Sequence, residues 1–397
     1  MNDIEIAQAV STILSKFTKA TPDEAPATSE AARVDGLDEI VAKALAQHSS
    51  VRDASAISQV AKVANASTGA FDTMDEAISA AVLAQVQYRH CSMQDRASFI
   101  NGIRDVFLQE DVLCALSRMA VEETGMGNYE DKLIKNRVAA LKTPGIEDLT
   151  TSAVSGDGGL TLIEYSAFGV IGSITPTTNP TETIINNSIG MLAAGNTVVF
   201  SPHPRSRKVS LYAVELINNK LAQLGAPANM VVTVTKPSID NTNVLINDPR
   251  INMLVATGGP AIVKTVMSSG KKAIGAGAGN PPAVVDETAD IEKAARDIIK
   301  GCSFDNNLPC VAEKEVIVVN QVADYLIHCM KKSGAYLLCD KKLSQQLQSL
   351  VLNEKGTGPN TAFVGKDARY ILQQLGIQVG GDGARRDEDG YYWITGR

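Results

Sequence analysis

The stretch SFDNNLPCVAEKE (303–315) ends a polar run on a lone thiol, Cys310. Asn306, Asn307 and Pro309 suit an irregular loop rather than a core strand. The thiol is therefore either a buried filler or a nucleophile at the mouth of a pocket. TGGP (257–260) places two glycines ahead of an apolar helix, where backbone N–H groups can approach a pyrophosphate. GAGAGNPP (275–282) invites comparison with the dinucleotide fingerprint GxGxxG, but Asn280 falls where the pattern needs its third glycine. Pro281 and Pro282 also prevent a helix from starting cleanly. A tight turn crossing between domains is the better reading. The six cysteines show no CxxC spacing or disulfide framework, and the four histidines show no HExxH, so no metal site is expected.

These residues need a scaffold, and 397 residues suffice for two domains, since one core rarely grows past about 250–300. A net charge of −7 without a basic stripe argues against nucleic acid as a partner. No apolar run is long enough to span a bilayer, and the N-terminus lacks the order of a secretory signal, so a cytosolic, reduced protein is expected. From Phe168 onward short apolar runs alternate with helical patterns. Strands are expected at 168–174, 197–200, 230–235, 252–256 and 271–276, with helices near 181–193, 207–224, 239–246 and 260–269. This rhythm implies βαβ units and a parallel sheet whose ligands sit beyond the carboxyl ends of the strands. Those ends carry Thr175, Pro176 and Thr177; Ser201, Pro202 and His203; and Thr257, Gly258 and Gly259. Upstream, four helices are expected between 72 and 141, followed by a hairpin-like segment at 156–165. Downstream, strands near 283–286 and 315–319 with helices at 289–301 and 321–333 start a second α/β unit.

At the N-terminus, Ile6, Val10, Ile13, Leu14 and Phe17 fall on one helical face, and TKATPDEAPATSE reads as a linker. A helix this short is marginal alone in water, so its apolar stripe needs a partner or must pack back on the body.

TPTTNPTETIINNSI, SPHP, VATGGP, GAGAGNPPAVVDETADI and GCSFDNNLPCVAEK occur together and in order, with EETGMGNYEDKLIKN and TPGIEDL upstream. This set closely resembles the CoA-acylating aldehyde dehydrogenases of bacterial microcompartments, which serve propanediol and ethanolamine utilisation. The resemblance runs from about Gly69 to Gly376. It implies that Cys310 is the nucleophile, attacking propionaldehyde or acetaldehyde to form a thiohemiacetal. Hydride then passes to NAD+, and coenzyme A takes the acyl group from the Cys310 thioester. Asn179 matches the oxyanion-hole asparagine, which acts with the Cys310 backbone N–H. Thr257, Gly258 and Gly259 match the cofactor loop, and Ser201, Pro202 and His203 the strand end facing the adenosine ribose. Thr175, Pro176, Thr177 and Gly277 complete the expected cofactor-binding set. The N-terminal helix resembles the encapsulation peptides of these enzymes, which makes a shell protein its partner and the lumen of a microcompartment its place.

Hydrolytic relatives carry a glutamate where this chain has Gly275, so transfer to a thiol is favoured over transfer to water. The alternatives are a hydrolytic aldehyde dehydrogenase and an inactive remnant that only docks to a shell. The SPHP turn also lacks the Lys and Glu of hydrolytic relatives, so NAD as cofactor rests on the resemblance alone. After Gly376 the family pattern stops, and GDGARRDEDGYYWITGR (381–397) resembles a fragment of acetyl-CoA synthetase. The expected organisation is a targeting helix (1–18), a linker (19–68), a Rossmann-like NAD-binding domain (69–276), a partial α/β catalytic domain (277–380) and a foreign-looking tail (381–397). Missing family segments make weak or no activity the expectation for this chain, and they place the family's homo-oligomer in doubt.

Overall fold

The computed structural model describes residues 68–378 and the backbone of 393–395. All belong to the second of two units into which the chain divides, Ser58–Arg397. The amphipathic helix of 1–18, the linker up to residue 67 and most of the 381–397 tail lie outside the described residues.

The described chain opens with β1 (Ala70–Phe71), followed by α1 (Met74–Tyr88), α2 (Met93–Phe107), α3 (Glu110–Thr124) and α4 (Tyr129–Lys142). Local chemistry sets these helix starts. Thr73 with Glu76, and Ser92 with Asp95, form reciprocal capping boxes, while the Asn128 side chain accepts from the Asp131 N–H. Gly125, left-handed at φ 67°, ends α3. The antiparallel hairpin β2 (Ser152–Gly156) and β3 (Gly159–Ile163) follows, solvent-exposed along both strands.

The βαβ rhythm read from Phe168 is present. The elements are β4 (Val170–Ile174), α5 (Pro180–Ala193), β5 (Thr197–Ser201), α6 (Arg207–Gln223), β6 (Val231–Val234), α7 (Ile239–Asn247), β7 (Met253–Thr257), α8 (Pro260–Met267) and β8 (Lys272–Ala276). They form a six-stranded parallel sheet in the order β1-β6-β5-β4-β7-β8. Successive strand residues alternate between two cores. Ile171, Val198, Phe200, Val231 and Met253 pack on one face with α2, α5 and α6. Val170, Ile174, Val199, Val232, Val234 and Leu254 pack on the other with α1 and α7. Coverage on both faces is why these strands read as continuous apolar runs rather than alternating ones.

Past Ala276 the chain leaves this sheet. β9 (Pro282–Val285), α9 (Ile291–Ser303), β10 (Glu315–Val318) and α10 (Asn320–Lys332) form a separate two-stranded parallel ladder with its own small core of Val285, Ala295, Ile298, Ile299, Cys302, Leu326, Cys329 and Met330. β11 (Ala335–Leu337), α11 (Lys341–Val351) and α12 (Ala368–Gln374) follow, and β12 (Trp393–Thr395) pairs in parallel with β11. The architecture is α/β with a parallel sheet, as read from the sequence. Among the described residues no helix is long and apolar enough to cross a membrane. None of their side chains form a group of three or more His, Cys, Asp or Glu placed to hold a metal ion.

Candidate active site

A cleft of about 780 Å³ lies between the six-stranded sheet's helices and the loop after α9. Its lining includes Cys310, Asn179, Lys135, Glu182, Thr257 and Glu313. Cys310 is exposed, so the buried-filler reading fails for this thiol, whereas Cys302 and Cys329 are buried core residues. Burial pushes the Cys302 thiol far above its ordinary range.

The loop that carries Cys310 is held in an unusual conformation. Asp305, Asn306 and Asn307 are consecutive left-handed residues, with φ of 49°, 53° and 60°. Asp and Asn tolerate this region better than other side-chain-bearing residues. Each is tied down. The Asp305 N–H donates to Asp131 Oδ2 at 2.8 Å, and Asp305 Oδ1 accepts from the Asn128 N–H at 3.0 Å. Asn306 Nδ2 donates to the Gly365 carbonyl, and Asn307 Nδ2 donates to the carbonyls of Cys302 and Glu313. Lys314 Nζ closes the turn by donating to the Pro309 and Ala312 carbonyls at 3.2 and 3.1 Å. The polar run before Cys310 is thus the framework that aims the thiol. The GAGAGNPP turn buttresses it from the other side: a Cβ on Gly279 would stand 2.0 Å from the Cys310 carbonyl oxygen.

Asn179 occupies the N-cap position of α5, directly before Pro180. Its side chain makes no capping bond. Instead Oδ1 accepts from Lys135 Nζ, and Nδ2 donates to Thr178 Oγ1 at 3.1 Å. Behind it lies a buried charge cluster that sequence reasoning missed. Asp305 Oδ2 meets Lys132 Nζ at 3.0 Å and Lys135 Nζ at 2.5 Å. Glu182 meets Lys135 at 3.2 Å, and Lys132 also donates to the Thr178 carbonyl at 2.8 Å. Burial alone would raise the Glu182 carboxyl, but the Lys135 and Lys132 ammonium groups overcome it and hold the carboxyl below its ordinary range. Burial pulls Lys132 below the usual lysine range, whereas Glu182 and Asp305 hold Lys135 above it against burial. Lys132 and Lys135 stand one turn apart on α4 within EDKLIKN, but a charged pair on a helix ordinarily marks a solvated face, and nothing local announces Asp305 as its partner.

The remaining sequence-selected residues gather at the carboxyl ends of β4, β5, β7 and β8. Thr175, Pro176 and Thr177 follow β4; Ser201 ends β5, ahead of Pro202 and His203; Thr257 ends β7, ahead of Gly258 and Gly259; Gly277 follows β8. Of these, Thr257 also lines the Cys310 cleft. Ser201 Oγ is paired with Thr242 Oγ1 at 2.8 Å, and His203 Nδ1 accepts from the Arg205 N–H. The set fits a dinucleotide. Thr175 Oγ1 is buried without a hydrogen-bond partner, and Gly259 and Gly277 leave open space where a Cβ would stand. Gly259 is also the N-cap of α8, whose first N–H groups lack side-chain partners. At Gly275 a Cβ would meet Val263 Cγ1 at 2.7 Å, so this position abuts α8 and brings no carboxylate to the cleft.

The model of the aldehyde dehydrogenase family matches residues 41–356. Propanal dehydrogenase (CoA-propanoylating) of Salmonella typhimurium is 50% identical over 311 residues, covering 78% of this chain and 66% of that protein. The crystal structure of Rhodopseudomonas palustris propionaldehyde dehydrogenase, with bound CoA and an acylated cysteine, is 70% identical with a TM-score of 0.77, covering 79% of this chain and 71% of that one. A propionaldehyde dehydrogenase from the fucose utilisation bacterial microcompartment of Clostridium phytofermentans is 48% identical with a TM-score of 0.76, covering 83% and 78%. The chain thus spans about two-thirds of the length of the curated relative. These matches establish that the chain belongs to the aldehyde dehydrogenase family.

Proposed function

We propose that this chain oxidises a short aldehyde, propionaldehyde or acetaldehyde, to the corresponding acyl-CoA, through a thioester on Cys310. The observation that carries the proposal is that Cys310 is exposed on the same cleft as Asn179, in a chain with no carboxylate at position 275. The Cys310 sulfur attacks the carbonyl carbon. The Asn179 Nδ2 and the Cys310 backbone N–H hold the oxygen as it gains charge, and losing one such donor typically costs about 10²–10³ in rate. Thr175, Pro176, Thr177, Ser201, Pro202, His203, Thr257, Gly258, Gly259 and Gly277 hold the nicotinamide dinucleotide. When bound, it supplies the acceptor for the hydride leaving the substrate carbon. The acyl group then passes from Cys310 to the thiol of coenzyme A, since Gly275 offers no general base to activate water.

The site of action is the interior of a bacterial microcompartment, with residues 1–18 binding a shell protein. The microcompartment origin of the Clostridium relative and the helical spacing of Ile6, Val10, Ile13, Leu14 and Phe17 in the sequence support this.

The test is NADH formation by the purified chain with NAD+ and propionaldehyde, with and without CoA, beside Cys310→Ala. A weak CoA-dependent rate that vanishes in the variant is expected. A rate that persists without CoA would instead identify a hydrolytic enzyme. Absence of any rate in folded protein would leave the motifs as an inherited remnant.

A further inference from the structure

We infer that Lys135 is a positioning residue that sets which edge of the Asn179 amide faces the substrate. This rests on the reading of Asn179 as the group that holds the aldehyde oxygen. An asparagine amide presents an acceptor on one side and donors on the other, and only the donor side serves a developing negative charge. An N-cap asparagine ordinarily turns its oxygen onto the N–H groups of its own helix. Asn179 forgoes that bond, and its oxygen accepts from Lys135 Nζ instead. One Nδ2 hydrogen goes to Thr178 Oγ1, which leaves one N–H for the cleft that Asn179 and Cys310 line together. Flipping the amide would set its NH₂ against an ammonium that can only donate.

Lys135 is itself fixed. Its side chain is 10% exposed and paired with both Glu182 and Asp305. Asp305 begins the left-handed run that leads to Cys310. One ammonium group therefore ties the asparagine on α5 to the loop of the nucleophile, so that donor and thiol keep a common register. Lys132, which binds Asp305 and the Thr178 carbonyl, anchors the same junction without reaching the amide.

The test reads thiohemiacetal formation on the full chain, independently of turnover. The Cys310 sulfur bonds to the aldehyde carbon, the π pair moves to oxygen, and the thiol proton ends on that oxygen. A bound aldehyde therefore protects Cys310 from iodoacetamide, and the rate of alkylation is read at the Cys310 peptide by mass spectrometry. For Lys135→Met, alkylation without aldehyde stays within about twofold of the parent. Protection by propionaldehyde weakens about fivefold, as for loss of one ordinary hydrogen bond to the adduct oxygen. Lys135→Arg, which keeps the charge and a donor, recovers most of the protection. Asn179→Ala loses protection to the same degree, and combining it with Lys135→Met adds nothing further, because the two act as one unit. If Lys135→Met leaves Glu182 with only its 4.0 Å contact to Lys132 and the protein does not fold, Lys135→Met/Glu182→Gln removes the weakly paired charge and serves in its place.

Full protection in the folded Lys135 variant, beside loss in Asn179→Ala, overturns the role of Lys135 and leaves that of Asn179 standing. So does an additive loss in the double variant, or an equal slowing of alkylation with and without aldehyde. Full protection in Asn179→Ala overturns the oxyanion reading and the positioning role with it.

Discussion

Two of the parallel ladders among the described residues are built from similar apolar sequence and covered differently. In the six-stranded sheet, every residue of β4, β5 and β6 is buried between two helical layers. In the ladder of β9 and β10, coverage is one-sided. Ala283, Val285, Val316 and Val318 turn toward α9 and α10, while Val284 and Ile317, paired in register, are 74% and 56% exposed. The cleft lies where these two regions meet. Asn179 and Lys135 stand on helices packed against the thick region, and Cys310 hangs from the thin one. A nucleophile on the less constrained part needs ties across the junction. The Asp305 pairs with Lys132 and Lys135 and the Gly279 contact beneath Cys310 supply them.

The largest effect expected from this contrast is in the thick region. Phe200 on β5 is fully buried. Phe200→Ala removes its contacts and leaves a cavity between the sheet and its helices, so it should destabilise the protein by about 3–5 kcal/mol. Urea unfolding of the full chain, followed by far-ultraviolet circular dichroism, measures this. A loss under about 1 kcal/mol would show that the sheet repacks freely and that the two regions do not differ in rigidity.

The junction comes next. Gly279→Ala forces its methyl group against the Cys310 carbonyl, which has to shift. Displacement of reacting groups by about 1 Å can cost on the order of 10² in rate. The proposed CoA-dependent NADH formation should fall by about that factor in the folded variant. An unaltered rate would mean that the turn does not set the position of the thiol.

How much of this could be read in advance depended on the range of the interaction. Helices α1 to α8 and strands β4 to β8 follow from periodicity, turn residues and the alternation of apolar runs, which are all local. β1, only two residues long, is too short for any period and exists because it pairs with Phe71 opposite Val234. Cys310 and Asn179 stood out because each sits in a dense motif. Lys135, Glu182 and Asp305 did not, because their meaning arises only when three elements far apart in sequence converge. An aspartate in a polar loop and two lysines on a helix carry no local mark of burial. Gly279 carried a hint as a turn glycine, but the backbone it admits belongs to a residue far along the chain. The difference in coverage between β6 and β9 was also hidden, since "VVTV" and "PAVV" look alike until helices are placed on one face or two.

That last difference can be probed with one substitution made twice. Val232 on β6 and Val284 on β9 are both β-branched residues in parallel strands, and threonine keeps the branch while adding a hydroxyl. At Val232, fully buried, the hydroxyl loses water and should cost about 1–3 kcal/mol unless a strand carbonyl accepts from it. At Val284 the hydroxyl stays hydrated, so the change should remain within about 0.5 kcal/mol. Paired urea titrations at several protein concentrations give both numbers. Equal small effects would show that the β6 site satisfies the hydroxyl internally. A Val284→Thr loss above 1 kcal/mol that grows with protein concentration would show that the open face of the β9–β10 ladder is covered by another copy of the chain in solution. The contrast between the two ladders would then belong to the isolated chain rather than to the working assembly.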